Sequence, residues 1–226
     1  MVVGRPSLLL LPGLGLGAEA WEPTVRHLHA SSAFRRITVL PLPGYGMPAR
    51  RHDDLAPATL AQAVSDHLEG GGLTVLAGHS ASCQVAAHAA ARADGSVCGL
   101  ALVGPTTDPH ARGWAPLARR WLATARHEHP DQVPSLSRQY HRTTLGSMAQ
   151  AMNAARYDDI QHTLREVHCP VLVVRGIHDR ICPADWTAAL APTVTLPVGG
   201  HMLPLTHAAH VADVLEALAR AGLRPR

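Results

Sequence analysis

Signatures of metal binding and nucleic-acid binding are missing from this chain. It has no H-E-x-x-H sequence and no pair of Cys-x-x-Cys motifs, and its 16 histidines are scattered rather than set at the spacing of metal ligands. No Lys/Arg run is longer than a pair, and the formal net charge is only +3. We therefore expect neither a metal ion nor a nucleic acid as a partner.

Charged and aromatic side chains are also scarce. Charged residues make up 16% of the chain and hydrophobic residues 46%, which is not the composition of a disordered protein. Aromatic residues account for 4%, so leucine and small apolar residues must fill the core. The chain, residues 1–226, suits one large α/β domain that has room for a small insertion.

The cysteines and the N-terminus bear on the compartment. The four cysteines are far apart, and Cys83, Cys98 and Cys169 lie in or next to apolar segments, which favours buried free thiols and a reducing environment. The leucine run at 8–11 is too short to span a membrane and lacks the basic flank and cleavage site of a signal peptide. We expect a cytoplasmic protein without a membrane partner, and the sequence leaves its oligomeric state open.

Short apolar runs alternate with helical patterns along the chain. Six runs predict buried strands, at 7–12, 37–42, 73–78, 99–104, 170–176 and 193–198. They are almost continuously apolar, as is typical of parallel strands covered on both faces. Helices are predicted at 56–69, 82–93 and 208–221. The pattern predicts a doubly wound α/β fold with a mostly parallel sheet.

One stretch, 105–161, interrupts this alternation because it contains helical patterns but no strand. It predicts a small helical insertion between two strands of the sheet. Its first helix places Trp114 and Trp121 seven residues apart on one apolar face. We consider two roles for these rings: at least one lines a substrate pocket, or both only pack the insertion onto the core.

A candidate nucleophile follows the third predicted strand. Residues 78–82 read G-H-S-A-S, one residue away from the G-x-S-x-G elbow, in the expected strand–turn–helix context. Such a turn lifts a serine hydroxyl clear of the sheet, which makes Ser80 the candidate. The alternative is that Gly78 merely ends a strand and that Ser80 or Ser82 caps a helix.

A serine nucleophile needs a base and a group that orients the base. Asp179 follows the strand at 170–176, and His201 follows the last strand after two glycines. Parallel strands end at one edge of the sheet, and the order Ser…Asp…His is that of the α/β-hydrolases. His207 is the nearest rival to His201, whereas His178 and His210 are predicted to be surface or packing residues.

The chain resembles the capped, esterase-like members of the α/β-hydrolase superfamily over nearly its whole length. The similarity lies in the segments "LLLPGLG", "PLPGYGMP", "AGHSAS", "CPVLVVRGIHD" and "GGHMLPLTH". It implies that 105–161 is a lid over the active site. It also implies that the backbone N–H groups of Leu14 and Ala81 form an oxyanion hole. Two departures are Pro12, where the family often has histidine, and Ser82, where the elbow usually ends in glycine.

The glycine-rich loop after the first strand has a second interpretation. Gly13, Gly15 and Ala18 also fit the G-x-G-x-x-G/A fingerprint of dinucleotide-binding proteins. That fingerprint requires an acidic residue about twenty residues later, at the end of the next strand. The segment 37–46 contains no Asp or Glu, so we favour an oxyanion loop and expect no cofactor.

These expectations converge on a serine hydrolase that acts on a small, largely apolar molecule. Its substrate would be a carboxylic ester, lactone or thioester, attacked by Ser80 with His201 as base and Asp179 as orienting group. Two other classes remain open. The same fold could hydrolyse a carbon–carbon bond, or catalyse an elimination or a cyclisation, and a receptor-like homologue could only bind a ligand.

Overall fold

The computed structural model of this chain describes residues 4–68 and 72–223. Within that range, the strands are β1 (Ser7–Leu11), β2 (Ile37–Val39), β3 (Leu42–Pro43), β4 (Gly46–Met47), β5 (Thr74–His79), β6 (Val97–Val103), β7 (Val171–Gly176) and β8 (Thr193–Leu196). The helices are α1 (Glu22–Ser31), α2 (Pro57–Leu68), α3 (Ser82–Arg92), α4 (Trp114–Ala125), α5 (Val133–Thr143), α6 (Leu145–Ala155), α7 (Ile160–Leu164), α8 (Ala184–Ala188), α9 (Leu203–Thr206) and α10 (Ala208–Gly222).

Six strands form one parallel sheet in the order β2-β1-β5-β6-β7-β8. The predicted doubly wound α/β fold is confirmed. The predicted second strand, 37–42, is too long, since β2 ends at Val39 and Leu42–Pro43 pairs separately with β4. Pro41 has no N–H for the ladder, which explains the early end. The final residue of the predicted helix 56–69 lies outside the described residues.

Alternate residues of the strands feed two hydrophobic cores, one on each face of the sheet. In β1, Leu9 and Leu11 point towards α2 and α3, whereas Leu8 and Leu10 point towards α1 and α10. All four leucines are buried, which is why the strand reads as an unbroken apolar run rather than an alternating one.

The direction in which the chain crosses the sheet reverses between β1 and β5. β2 lies on one side of β1, and β5 to β8 lie on the other. Ligand sites of open α/β sheets lie beyond the carboxyl ends of the strands at such a reversal. The loops that follow β1 and β5 meet at that point, and they carry Leu14 and Ser80.

The helical insertion consists of α4 to α7 and connects β6 to β7. It occupies the predicted region 105–161 and extends three residues beyond it, to the end of α7. No helix found in residues 4–68 or 72–223 has the length and apolar character needed to cross a membrane.

Candidate active site

Ser80 occupies a strained turn between β5 and α3. Its φ is +60°, in the left-handed region that a residue with a side chain rarely adopts. The turn is also crowded, because a Cβ at Gly78 would lie 2.8 Å from the Cα of Cys83. Glycine is therefore required at position 78, and the predicted elbow geometry is present around Ser80.

Ser82 stands where the family pattern usually has glycine, and its hydroxyl holds the turn together. Its Oγ accepts the N–H of His79 at 3.0 Å and lies 3.1 Å from the carbonyl oxygen of Leu11. Ser82 is fully buried. These contacts join the elbow to the end of β1, so the departure from glycine adds hydrogen bonds rather than strain.

The structure brings the three predicted triad residues into one hydrogen-bonded chain. Nε2 of His201 lies 2.8 Å from Oγ of Ser80, and Nδ1 of His201 lies 2.7 Å from Oδ2 of Asp179. The second oxygen of Asp179 accepts backbone N–H groups from Ile181 at 2.9 Å and Cys182 at 3.0 Å. These bonds fix the carboxylate, and the carboxylate fixes one side of the imidazole.

Asp179 and His201 each stabilise the charged form of the other. Burial alone would raise the pKa of Asp179, but the neighbouring His201 and the two backbone N–H groups bring it below its ordinary value. Burial alone would lower the pKa of His201, yet the Asp179 carboxylate and the more distant Glu128 raise it above 6.5. His201 is therefore a stronger base than a free histidine, which suits it to accept a serine proton.

A second histidine, His79, lies beside the site and was not identified from the sequence. Its ring is fully buried, and burial together with the nearby His201 lowers its pKa to about 3, so the ring is neutral. Nε2 of His79 donates to the carbonyl oxygen of His201 at 3.0 Å, since a carbonyl can only accept. His79 thus anchors the backbone of His201.

Two backbone amides predicted for the oxyanion hole are available. In the loop after β1, the N–H groups of Gly15, Leu16 and Gly17 donate to oxygen atoms of Gly44, Gly13 and Gln139. By contrast, across the described residues the N–H groups of Leu14 and Ala81 donate to no protein acceptor. Both flank the turn region where β1 and β5 end, and both remain free to bind a ligand oxygen.

The helical insertion holds the glycine-rich loop after β1, the candidate oxyanion loop, through polar side chains of α5. From α5, Gln139 accepts the N–H of Gly17 at 2.9 Å, and Thr143 donates to the carbonyl of Gly15 at 3.0 Å. Arg142 adds a two-pronged ion pair with Glu19, at 2.7 and 2.8 Å. No sequence signal distinguishes these residues, because single polar residues in a helix carry no motif.

The two tryptophans of the insertion are each about half exposed to solvent. Trp114 is 48% exposed and Trp121 is 52% exposed, and the guanidinium of Arg156 lies 4.8 Å from the centroid of the Trp114 ring. The buried residue of α4 is instead Thr124. The apolar face of this helix is thus largely open, and the predicted role of the rings in a substrate pocket stays a prediction.

The other histidines near the site make different contacts. Nδ1 of His207 lies 2.9 Å from Oγ1 of Thr206, and its ring faces His210 rather than Ser80. His178 stacks on His127 with a centroid distance of 4.5 Å. Within the described part of the chain, no cluster of His, Cys, Asp or Glu is arranged to hold a metal ion.

Comparisons with known proteins agree with this architecture. Among solved structures, the chain is similar to olei00960, a hydrolase from Oleispira antarctica, with a TM-score of 0.77 and 15% identity over 96% of this chain and 92% of that one. It is also similar to a lipase-esterase related protein from Clostridium acetobutylicum ATCC 824, with a TM-score of 0.74 and 12% identity over 96% and 95% of the two chains. A third similar structure is a bromoperoxidase from Bacillus anthracis, with a TM-score of 0.75 and 15% identity over 96% of this chain and 92% of that one.

At these identities the similarity to solved structures shows the fold alone. No curated protein matches the chain. The sequence model of the Alpha/beta hydrolase family, however, matches residues 8–214. Because that match spans most of the sequence, this protein belongs to the alpha/beta hydrolase family.

Proposed function

We propose that this protein is a serine hydrolase that cleaves a carboxylic ester, lactone or thioester of a small, largely apolar molecule. The observation that carries the proposal is the hydrogen-bonded chain from Ser80 through His201 to Asp179, with distances of 2.8 and 2.7 Å. Nucleophile and base within this distance, with the base oriented by a third group, are the requirement for nucleophilic acyl transfer.

In the first half of the reaction, Ser80 attacks the substrate carbonyl while His201 takes its proton at Nε2. Asp179 accepts the Nδ1–H of His201, which fixes the reactive tautomer and stabilises the imidazolium. The free N–H groups of Leu14 and Ala81 donate to the oxyanion of the tetrahedral intermediate. The protonated His201 then gives its proton to the leaving alcohol or thiol, and the acyl group stays on Ser80.

In the second half, water attacks the acyl-enzyme. His201 takes a proton from the water and returns it to Oγ of Ser80 as the acid product leaves. No cofactor is needed for these steps. The helical insertion acts as a lid, and the low share of charged residues, 16% of the chain, favours an apolar substrate.

Labelling with a fluorophosphonate, followed by intact mass measurement, tests the nucleophile. We expect one adduct on the wild type and none on Ser80→Ala. The matched control is Ser96→Ala, which lies just before β6 at the opposite edge of the sheet and should label like the wild type. An adduct that persists in Ser80→Ala, or no adduct on the folded wild type, would overturn the assignment.

A panel of chromogenic acyl esters of different chain lengths then tests the reaction. Turnover that disappears in Ser80→Ala supports an ester hydrolase. Labelling without turnover of any ester, lactone or thioester favours instead the carbon–carbon hydrolase, lyase or cyclase chemistries of the same fold, or a receptor-like role.

A further inference from the structure

Glu128, a residue of the helical insertion, accepts hydrogen bonds from the backbone of the candidate base, His201, and of its neighbour Met202. Glu128 lies in the turn after α4, and its Oε1 accepts the N–H of His201 and, at 3.0 Å, the N–H of Met202. Its Oε2 accepts from the side chain of Gln132 at 3.0 Å. Both carboxylate oxygens are thus engaged, and two of the three bonds go to the loop that carries His201.

These contacts complete the support of His201. Its carbonyl oxygen accepts from His79, as described above, and its N–H donates to Glu128. The backbone of the residue is therefore held on both sides while the ring spans Ser80 and Asp179. Bonds to a carboxylate are stronger than bonds between neutral groups, so Glu128 provides a firm anchor for the loop.

Glycine at position 200 leaves space for the Glu128 carboxylate. A Cβ at Gly200 would lie 2.5 Å from Oε1 of Glu128, so any larger residue before His201 would displace it. One turn earlier in the chain, Oγ1 of Thr124 accepts the N–H of Arg180 at 2.9 Å, next to Asp179. The C-terminal end of α4 thus contacts both the acid loop and the base loop.

We propose that Glu128 is a positioning residue of this active site. Its carboxylate sets the orientation of the His201 imidazole toward Ser80, and its negative charge favours the imidazolium that forms when His201 takes the serine proton. This inference rests on the proposed serine hydrolase function. It assigns to the insertion a role in the chemistry in addition to covering the substrate.

Other charged and titratable groups face the same region. The His201 ring meets Ser80, Asp179 and the ring of His79, whose centroid is 5.2 Å away. Burial raises the pKa of Tyr140, and the charge of Glu128 adds to that rise. Burial and His210 lower the pKa of His207, and Glu128 opposes that shift. It lines an open cavity of about 670 Å³ together with the charged or titratable residues Arg126, His127, His129, Asp131 and His207.

Two substitutions separate the anchoring role from the charge. Glu128→Ala removes both, and we expect fluorophosphonate labelling to slow by about tenfold to a hundredfold, the scale of a misplaced catalytic group. Glu128→Gln keeps an oxygen that accepts both N–H groups, so at high pH we expect labelling within about threefold of the wild type. With the charge gone, the acidic limb of its pH profile should move to lower pH.

The matched control is Asp131→Asn, three residues away in the same cavity wall and 87% exposed at its side chain. It removes the same charge without touching the base loop, so its labelling rate and pH profile should equal those of the wild type. If Glu128→Ala folds and labels at the wild-type rate, or if Glu128→Gln is as slow as Glu128→Ala at high pH, the positioning role is wrong.

NMR titration of the His201 ring, assigned by its loss in His201→Gln, gives a readout that needs no reaction. Comparison of the wild type with Glu128→Gln should show a lower pKa in the variant. An unchanged pKa would refute the electrostatic role, even where Glu128→Ala does not fold. Failure of the wild type to label would refute the hydrolase proposal instead, and the titration would still decide whether Glu128 acts on His201.

Discussion

Two histidine–carboxylate pairs in this protein have the same nitrogen–oxygen distance of 2.7 Å. One joins His201 to Asp179 at the carboxyl edge of the sheet, and the other joins His88 on α3 to Asp158 after α6. Both pairs are mostly buried. Residue type and distance therefore do not distinguish a candidate catalytic pair from one that ties a helix to the insertion.

The surroundings of the two pairs differ in two respects. In the first pair, Nε2 of His201, the nitrogen that does not contact Asp179, lies beside the hydroxyl of Ser80. The second oxygen of Asp179, Oδ1, accepts two backbone N–H groups. The second oxygen of Asp158 is buried and has no partner among the described residues. A complete set of partners holds the first pair in one orientation and connects it to the candidate nucleophile Ser80.

Replacing the carboxylate of each pair in turn should give the largest difference in labelling rate between the two pairs. We expect Asp179→Asn to slow fluorophosphonate labelling by about 10³- to 10⁴-fold, because the amide favours the wrong tautomer of His201. Asp158→Asn should change the labelling rate by less than about threefold and lower the free energy of unfolding by about 1–2 kcal/mol, as loss of a charged hydrogen bond does. Labelling kinetics measure the first effect, and urea unfolding measures the second. If the two variants lost labelling equally, the distinction between a catalytic and a structural pair would be wrong.

The pH dependence of labelling should report on His201 alone. His201 acts as a base only when neutral, and its pKa is raised above 6.5. The rate should therefore fall about tenfold per pH unit below a midpoint that lies above 6.5. His88→Gln should leave this profile unchanged. A midpoint below 6.5, or one that moves in His88→Gln, would contradict the assignment of the base.

The smallest effect is expected at the elbow that presents Ser80 to the first pair. Ser82→Ala preserves the small size that the turn requires but loses the bonds to His79 and Leu11. We expect the free energy of unfolding to fall by about 1–2 kcal/mol and labelling to slow only a few-fold. A loss of labelling comparable to that of Asp179→Asn would show that the hydroxyl takes part in the reaction.

The sequence predicted the fold because the central strands are covered on both faces. Continuous apolar runs such as Leu8–Leu11 mark parallel strands, and the structure shows six strands in one sheet. The edge strands β2 and β8 were also predicted to be buried, but they are only partly buried because each has a neighbour on one side alone. Boundaries were less accurate where proline interrupts the ladder, as at Pro41. The three candidate triad residues were predictable because each lies in the loop after a strand, and parallel strands bring their ends together.

The contacts of the insertion were not predictable from the sequence. Gln139, Thr143 and Glu128 reach the oxyanion loop and the base loop from more than seventy residues away in the chain. No local pattern marks a polar residue whose partner is a distant backbone amide. The apolar face of α4 was equally uninformative, because its tryptophans are half exposed and its buried contact comes from Thr124.

The sequence by itself determined the order of strands and helices, the glycine-dependent turn at Ser80, and the residue types that follow the strands. Local propensity and apolar patterning suffice for these, since each depends on neighbours in the chain. Only the tertiary structure decided which histidine anchors the backbone of His201, which side chains of α5 hold the glycine-rich loop after β1, and which carboxylate holds the base loop. Those properties depend on distances between segments far apart in the chain, which are fixed only when the sheet and the insertion pack together.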